Sequence, residues 1–545
     1  MCCGKSKDLY AAALSTPTTK MSLVSCPRVL VGGTLIDGTG ADPIKDSVIV
    51  LRDEYIVAVG RKGEVEVPPG SEVYDATGMT VMPGLIDSHC HFIWMGVNML
   101  TTVPIRYTAT MKDALELIKK RAASVKPGEW IIGRGYDEAK WPENRYITKK
   151  DIDAVVKDKP VALVRICGHL VSANSKALEL AGINKDSPDP DGGAIDREAD
   201  GEPTGVLRDC RDQIWKVIPP TSSETMIEGL KVASDHALSL GCTGIHDAGL
   251  GPQEVAAYQE AHDNGNLKVR ANIMLRTETP EAAMKLGIRT GFGDQMLRIG
   301  PVKLLIDGSL GAHTAALFEP YEDDPSTSGL LLEEPEVIAE KMAAAHSHGF
   351  QVATHAIGDL AIEHVIDGIQ KTLKGEPRKN HRHRIEHCEI LSAQQIERIK
   401  RLGIIPAMQP NFIGEWSGPG SMYRQRLGEK RDRASNPYRV LLDEGIPVAF
   451  GSDGMPFNPI YGIWSAVNHP IRESRISLVE AIKCYTLNSA YAGFHEDYVG
   501  SVEVGKLADV AVFDRDLTEV APETIRDAQC YMTLVNGKIL YHKEK

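Results

Sequence analysis

The sequence predicts an α/β protein built on an eightfold β/α barrel, and three observations carry that prediction. Short apolar runs alternate with helix-like stretches through the middle of the chain, strand-rich segments occupy both ends, and one connection is far longer than the rest. The runs are VMPGLIDSH, CTGIHDAG, VRANIML, GPVKLLIDG, FQVATHA, HRIEHCEI, GIIPAMQP and IPVAFGSDG, eight in all. Most precede a helix-like stretch such as EPEVIAEKMAAAHSHG, DLAIEHVIDGIQKTLKG or SAQQIERIKRLG. Runs too apolar to face water, alternating with helices, indicate a parallel sheet covered on its faces. Eight such units suit a closed (β/α)8 TIM barrel, with an open sheet as the alternative.

The ends read differently. RVLVGGTLID, DSVIVLRDEYIVAVG and SEVYDATG near the start, and GSVEVGKLADVAVFDRD and YMTLVNGKILYH near the close, are short strands separated by turns. Two all-β segments at opposite ends commonly pair into one unit, here a small composite β-sandwich domain from residues 26–80 plus 498–545. The barrel then occupies 81–497. Its first and second runs are separated by about 150 residues, beyond an ordinary loop. That stretch has its own strands, EWIIGRGYD and PVALVRICGH, so 100–225 is read as a lid or accessory subdomain inserted after strand one. It leaves the barrel at the C-terminal end of that strand, the face on which barrel active sites form.

Bulk properties exclude several functions. The 545-residue chain carries a net charge of −13 without a basic stripe, which excludes a nucleic-acid partner. No apolar run approaches the roughly 20 residues that cross a bilayer, so no membrane span is expected. Residues 1–25 read as a disordered lead-in: the start carries Lys5, Lys7 and Asp8, lacks the apolar region of a signal peptide, and leaves Met21 as an alternative start. Cys2 and Cys3 have neither a myristoylation signal nor polybasic support for acylation. The ten cysteines show no paired spacing, which suits free thiols and a cytoplasmic location. A homodimer is the default assembly.

The chemistry sits where apolar runs give way to loops. Asp87-Ser-His89-Cys-His91 closes the first run, and residues two apart on a strand face the same side, so His89 and His91 both point into the barrel mouth. Two imidazoles so placed suit a divalent metal such as zinc. An isolated pair of this kind is more often incidental. Here His355 ends VATH, His387 ends RIEH and Asp453 ends AFGSD, which weighs against chance. Lys303 lies inside the apolar GPVKLLIDG run, where an ammonium must be paired, deprotonated or modified. A neutral amine reacts with carbon dioxide to give a carbamate able to bridge two metals. A salt bridge to Asp307 or another carboxylate is the equal alternative.

PGLIDSHCH, the lysine-bearing fourth run, THAIGD, RIEHCE and GSDGMPFNP, in that order, resemble the amidohydrolase superfamily. KLLIDGSLGAHTAALFEPY narrows the resemblance to the amidohydrolase-3 or YtcJ-like branch, which includes N-substituted formamide deformylases. The resemblance spans nearly the whole chain and implies a residue assignment. His89, His91 and Asp453 would bind one metal, His355 and His387 a second, and carboxylated Lys303 would bridge two zinc ions. It implies hydrolysis of a non-peptide C–N bond in a small molecule (an amide, N-formyl group or cyclic amide) by metal-bound hydroxide. Asp453 would take the proton and return it to the leaving nitrogen. The mononuclear deaminase branch commonly has a glutamate three residues after the strand-five histidine. Gly358 stands there, which argues against deamination of an aminated ring. A catalytically inactive barrel acting as a binding protein is the alternative of another class.

Five residues are candidate substrate contacts. His169 follows the apolar strand of RICGHLVSANSKAL, which resembles the family's lid segment, and a histidine satisfied inside the subdomain is nearly as good a reading. His246 ends TGIHDAG and belongs to no metal motif. His313 stands where branch members often have arginine, which puts the pocket's charge preference in doubt. Trp94 and Trp416 fall on loops after runs one and seven, where tryptophans more often serve packing than ligands. The hairpin GGAIDREADGEPTGVL is read as structural.

Overall fold

A computed structural model describes residues 26–543 except 127, 167, 191–192 and 277–279, so the lead-in of residues 1–25 lies outside the described residues. Eight parallel strands stand in sequence order: Leu85–Cys90, Cys242–Leu250, Arg270–Arg276, Leu297–Leu305, Val352–Ala356, Arg384–His387, Ile405–Met408 and Ala449–Phe450. Each of the eight runs supplies one strand, and the helices between them cover the sheet, as the apolar character of the runs requires. The helix Ala393–Leu402 shows how local sequence sets its bounds. Ser392 and Gln395 form a capping box at its start, and Gly403 ends it in a left-handed turn at φ 67°.

The seam between the first and eighth strands is closed by specific groups. The amides of Ser452 and Asp453 donate to the His89 carbonyl at 3.2 and 2.8 Å. The Asp87 carboxylate accepts from the Ser452 amide at 3.0 Å and from its hydroxyl at 2.5 Å. Gly451 permits this approach, since a Cβ there would stand 2.5 Å from the His89 nitrogen.

The two chain ends build a sandwich. A four-stranded sheet contains Tyr55–Arg61, Ser47–Arg52, Arg28–Val31 and Glu72–Asp75 in that order. A five-stranded sheet contains Thr34–Leu35, Thr80–Pro83, Val510–Phe513, Cys530–Val535 and Lys538–His542. Leu30, Ile49, Val81, Val510, Met532 and Leu534 form the core between them. The run VMPGLIDSH serves both units: it splits at Gly84, which lies against Thr243 so closely that a Cβ would meet its side chain at 2.1 Å. The sandwich therefore extends to Pro83.

The long insertion is a third unit. Its six-stranded mixed sheet runs from Ala194–Arg197 through Pro203–Arg208, Leu170–Ala173, Val161–Arg165 and Ile131–Tyr136 to Thr102–Pro104. It has its own cores and joins the barrel through the helix Phe92–Thr101, which begins directly after His91. No described helix is long and apolar enough to cross a membrane. The seven described cysteines are free thiols.

Candidate metal centre

His89, His91 and Asp453 converge at the mouth of the barrel. One ligand atom from each lies within 4.8 Å of the other two. Asp453 Oδ1 stands 3.2 Å from His91 Nε2 and 3.7 Å from His89 Nε2. The far sides of both rings are already engaged: His91 Nδ1 meets the Ala248 carbonyl at 3.2 Å, and His89 Nδ1 makes a short contact with Glu386. Those acceptors fix Nδ1 as the protonated nitrogen, so each ring turns an Nε2 lone pair toward Asp453. Asp453 Oδ1 is buried without a hydrogen bond. Burial opposes a charge on His91, yet Asp453 raises its pKa, so a proton can stand between that pair, and a divalent cation would satisfy all three atoms at once.

His355 and His387 extend the cluster. Their ring centroids are 4.4 Å apart, and the His387 ring lies 4.9 Å from that of His89. His355 Nε2 meets the Gly308 carbonyl at 3.0 Å, which leaves its Nδ1 free, and His387 Nδ1 is buried without a partner. Burial, followed by the Lys303 charge, pushes His355 down to about 3 and His89 to about 4. Burial and the neighbouring histidines hold His387 well below the ordinary value. These rings are neutral at physiological pH, the form that binds metal.

Lys303 is buried beside them. Burial lowers its pKa to about 8, although Glu386 and Asp453 pull it upward. No ion pair or hydrogen bond reaches its ammonium among the described residues. The salt bridge to Asp307 considered from the sequence is absent, because that carboxylate is occupied elsewhere: it accepts from the amides of Ala316, Ile357 and Gly358 at 3.0, 3.1 and 2.9 Å.

Sequence reasoning missed the groups that hold the ligands. Glu386 and Arg384 are fully buried and joined by two bonds of 2.8 and 2.9 Å. Arg384 also donates to the Ser88 carbonyl at 2.7 Å and to His246 Nδ1 at 2.9 Å. Burial opposes the charge on Glu386, yet Arg384 and His89 hold its carboxyl far below the usual range. The signal was present in Arg384-Ile-Glu386-His387, where two charged residues two apart share the inner face of an apolar strand. His387 also reaches the interior because it adopts φ 72°, a left-handed turn that breaks strand alternation. Asp453 does the same at φ 53°. Phe412 was missed as well; its ring stacks on His387 at 6.0 Å.

The five proposed substrate contacts fare differently. His246 is buried with Arg384 on its Nδ1, so it is tied to the groups that support the candidate ligands, and it lines a small interior cavity with His495 and Arg270. Trp416 packs against Phe412, with ring centroids 4.8 Å apart, and Phe412 in turn stacks on His387. Trp94 packs on the core beside the helix Ser223–Ser239. His169 lies exposed in the insertion and pairs with Asp209 at 3.2 Å. Asn174 just beyond caps a helix. His313 is half-buried on the loop after the fourth strand, where Asp323 at 3.0 Å balances it.

A family model described as the amidohydrolase family matches residues 72–541. This chain belongs to that family. The putative amidohydrolase YtcJ of Bacillus subtilis is 34% identical, covering 93% of this chain and 97% of its own. An N-substituted formamide deformylase of Arthrobacter pascens is 28% identical, over 91% of this chain and 95% of its own. Among solved structures, an uncharacterized metal-dependent hydrolase from Pyrococcus furiosus superposes with a TM-score of 0.75 at 29% identity, covering 91% of this chain and all of the other. Membership in the family and the facing ligand atoms together support a divalent metal at this centre.

Proposed function

We propose that this amidohydrolase cleaves a non-peptide C–N bond of a small molecule, in an amide, N-formyl group or cyclic amide, at a centre of two zinc ions. The facing lone pairs of His89, His91 and Asp453 carry this reading. His355 and His387 would hold the second ion, and Lys303 would bridge the two as a carbamate. Its amine, brought near neutrality by burial, adds to carbon dioxide and releases a proton. Ions held here would lower the pKa of a bound water and polarise the substrate carbonyl.

The protein's own groups manage the protons and the geometry. Asp453, held between His89 and His91, accepts a proton from the attacking water and returns it to the leaving nitrogen. Glu386 keeps His89 in the tautomer that offers Nε2. Phe412, stacked on His387 and packed against Trp416, backs that ring and helps keep water from that side. The deformylase relative supports the bond class.

Deamination by a single metal is disfavoured at Gly358. A Cβ there would lie 1.9 Å from the Ala316 carbonyl oxygen, so a glutamate does not fit without moving the backbone.

Metal content per chain, measured on wild type and Lys303→Ala purified without chelator, tests the proposal. Two ions falling to one or none are expected. One ion in both proteins would return Lys303 to a structural role and restore the deaminase reading. No ion in either would favour a binding protein.

A further inference from the structure

A cavity lies at the end of the barrel opposite the candidate metal centre. Its volume is about 630 Å³, within the range that holds metabolites. The loops that precede the fourth, fifth and sixth strands line it, so it opens on the face away from the metal centre.

Its charge is distinctive. Arg289, Arg298 and Arg378 all line it, and none has a carboxylate partner among the described residues. Arg298 donates to the carbonyls of Gly291 at 3.3 Å and Phe494 at 3.1 Å, and to the Tyr498 hydroxyl at 3.1 Å. Arg378 donates to the carbonyls of His346 at 3.3 Å and Phe350 at 2.6 Å. These neutral acceptors orient the two guanidiniums without cancelling their charge. Arg289 is exposed at the rim, and its guanidinium forms no ion pair or hydrogen bond among the described residues. The single acid of the lining, Glu376, forms no ion pair among the described residues. Three arginines stand against one carboxylate, Glu376, whose charge acts on Arg378 without forming an ion pair, so the cleft is net positive in a chain whose net charge is −13, a field that draws an anion.

We infer that this basal cavity binds a small anion bearing phosphate or carboxylate groups. Arg298 and Arg378 form its fixed floor, and Arg289 closes on it from the rim. Guanidinium forks match the paired oxygens of both groups. The site is independent of the reaction at the metal centre.

Calorimetric titration of the purified holoprotein with inorganic phosphate and, separately, succinate at constant ionic strength tests the inference. One equivalent of at least one anion is expected to bind in the millimolar range or tighter. Arg289→Glu should weaken it about tenfold or more, the loss of one charge-assisted contact. Arg289→Gln should lower it in the same direction by less. Both variants should keep close to the wild-type melting temperature without anion, because the Arg289 guanidinium bonds to no other group among the described residues and either side chain retains the stem that packs on Gly349. Asp453→Asn should bind as wild type does. Tighter phosphate would assign the site to phosphoesters, and tighter succinate to carboxylates. Absence of binding by both anions overturns the inference, as does binding that survives Arg289→Glu or that disappears in Asp453→Asn.

Discussion

Behind His89 stands a carboxylate, and behind that carboxylate a guanidinium, all three buried. Such a relay fixes which nitrogen of the ring is free and raises its basicity. Glu386→Gln keeps the shape and removes the charge, leaving Arg384 buried without a counter-ion. Metal affinity is expected to fall about 10- to 100-fold, read by competition with a chromogenic chelator. An unchanged affinity would reduce Glu386 to packing. Asp453→Asn separates binding from proton transfer. Much of the metal should stay, because the histidines remain, while turnover falls by about two to four orders of magnitude. Near-normal turnover would sink the shuttle role of Asp453.

At the scale of elements, the site depends on how closely strand ends approach their neighbours. Gly358 opens the helix Asp359–Gly375, gives its amide to Asp307 and lies against the Ala316 backbone. Gly358→Ala would force that loop away, at a cost of about 1–3 kcal/mol, the usual range for overpacking. Urea unfolding measures it, and equal stability would show that the loop yields freely. The mouth of the barrel is set by the same logic at the seam, where Asp87 ties Ser452 beside Asp453 and so fixes one ligand relative to another.

Across the whole molecule, several histidines far from the metal are buried in neutral form. Burial lowers His469 and His495 to about 3, and His383 well below its ordinary value. An imidazole so depressed leaves the unfolded chain as the better proton acceptor. Its contribution is complete above the unfolded value of about 6.5 and is lost as pH falls toward the folded value. Unfolding free energy should therefore be level between pH 7 and 8 with respect to these groups. Below about 6.5 it should fall by as much as roughly 1.4 kcal/mol per pH unit for each histidine. Denaturant titrations at stepped pH check this, and a flat profile down to pH 5 would show that these rings protonate in the folded state.

The eight strands, the sandwich from both ends and the insertion were legible in the sequence, and the six residues proposed as ligands could be named from it. Each leaves a local mark: an apolar run of strand length, a turn-bounded β segment, or a polar residue where such a run ends. Lys303 was visible for the same reason, as a charge inside an apolar run. The sequence could not say what the polar residues do to one another. Glu386 and Arg384 became a ligand support because His89, 297 positions away in the chain, is brought onto them. Likewise Asp307 became a loop clamp, His246 became tied to Arg384, and Trp416 packed against Phe412. Periodicity records which side of an element a residue faces. Partners come from the closing of the barrel, which joins strand ends far apart in sequence, and from left-handed turns at His387 and Asp453 that local pattern does not announce.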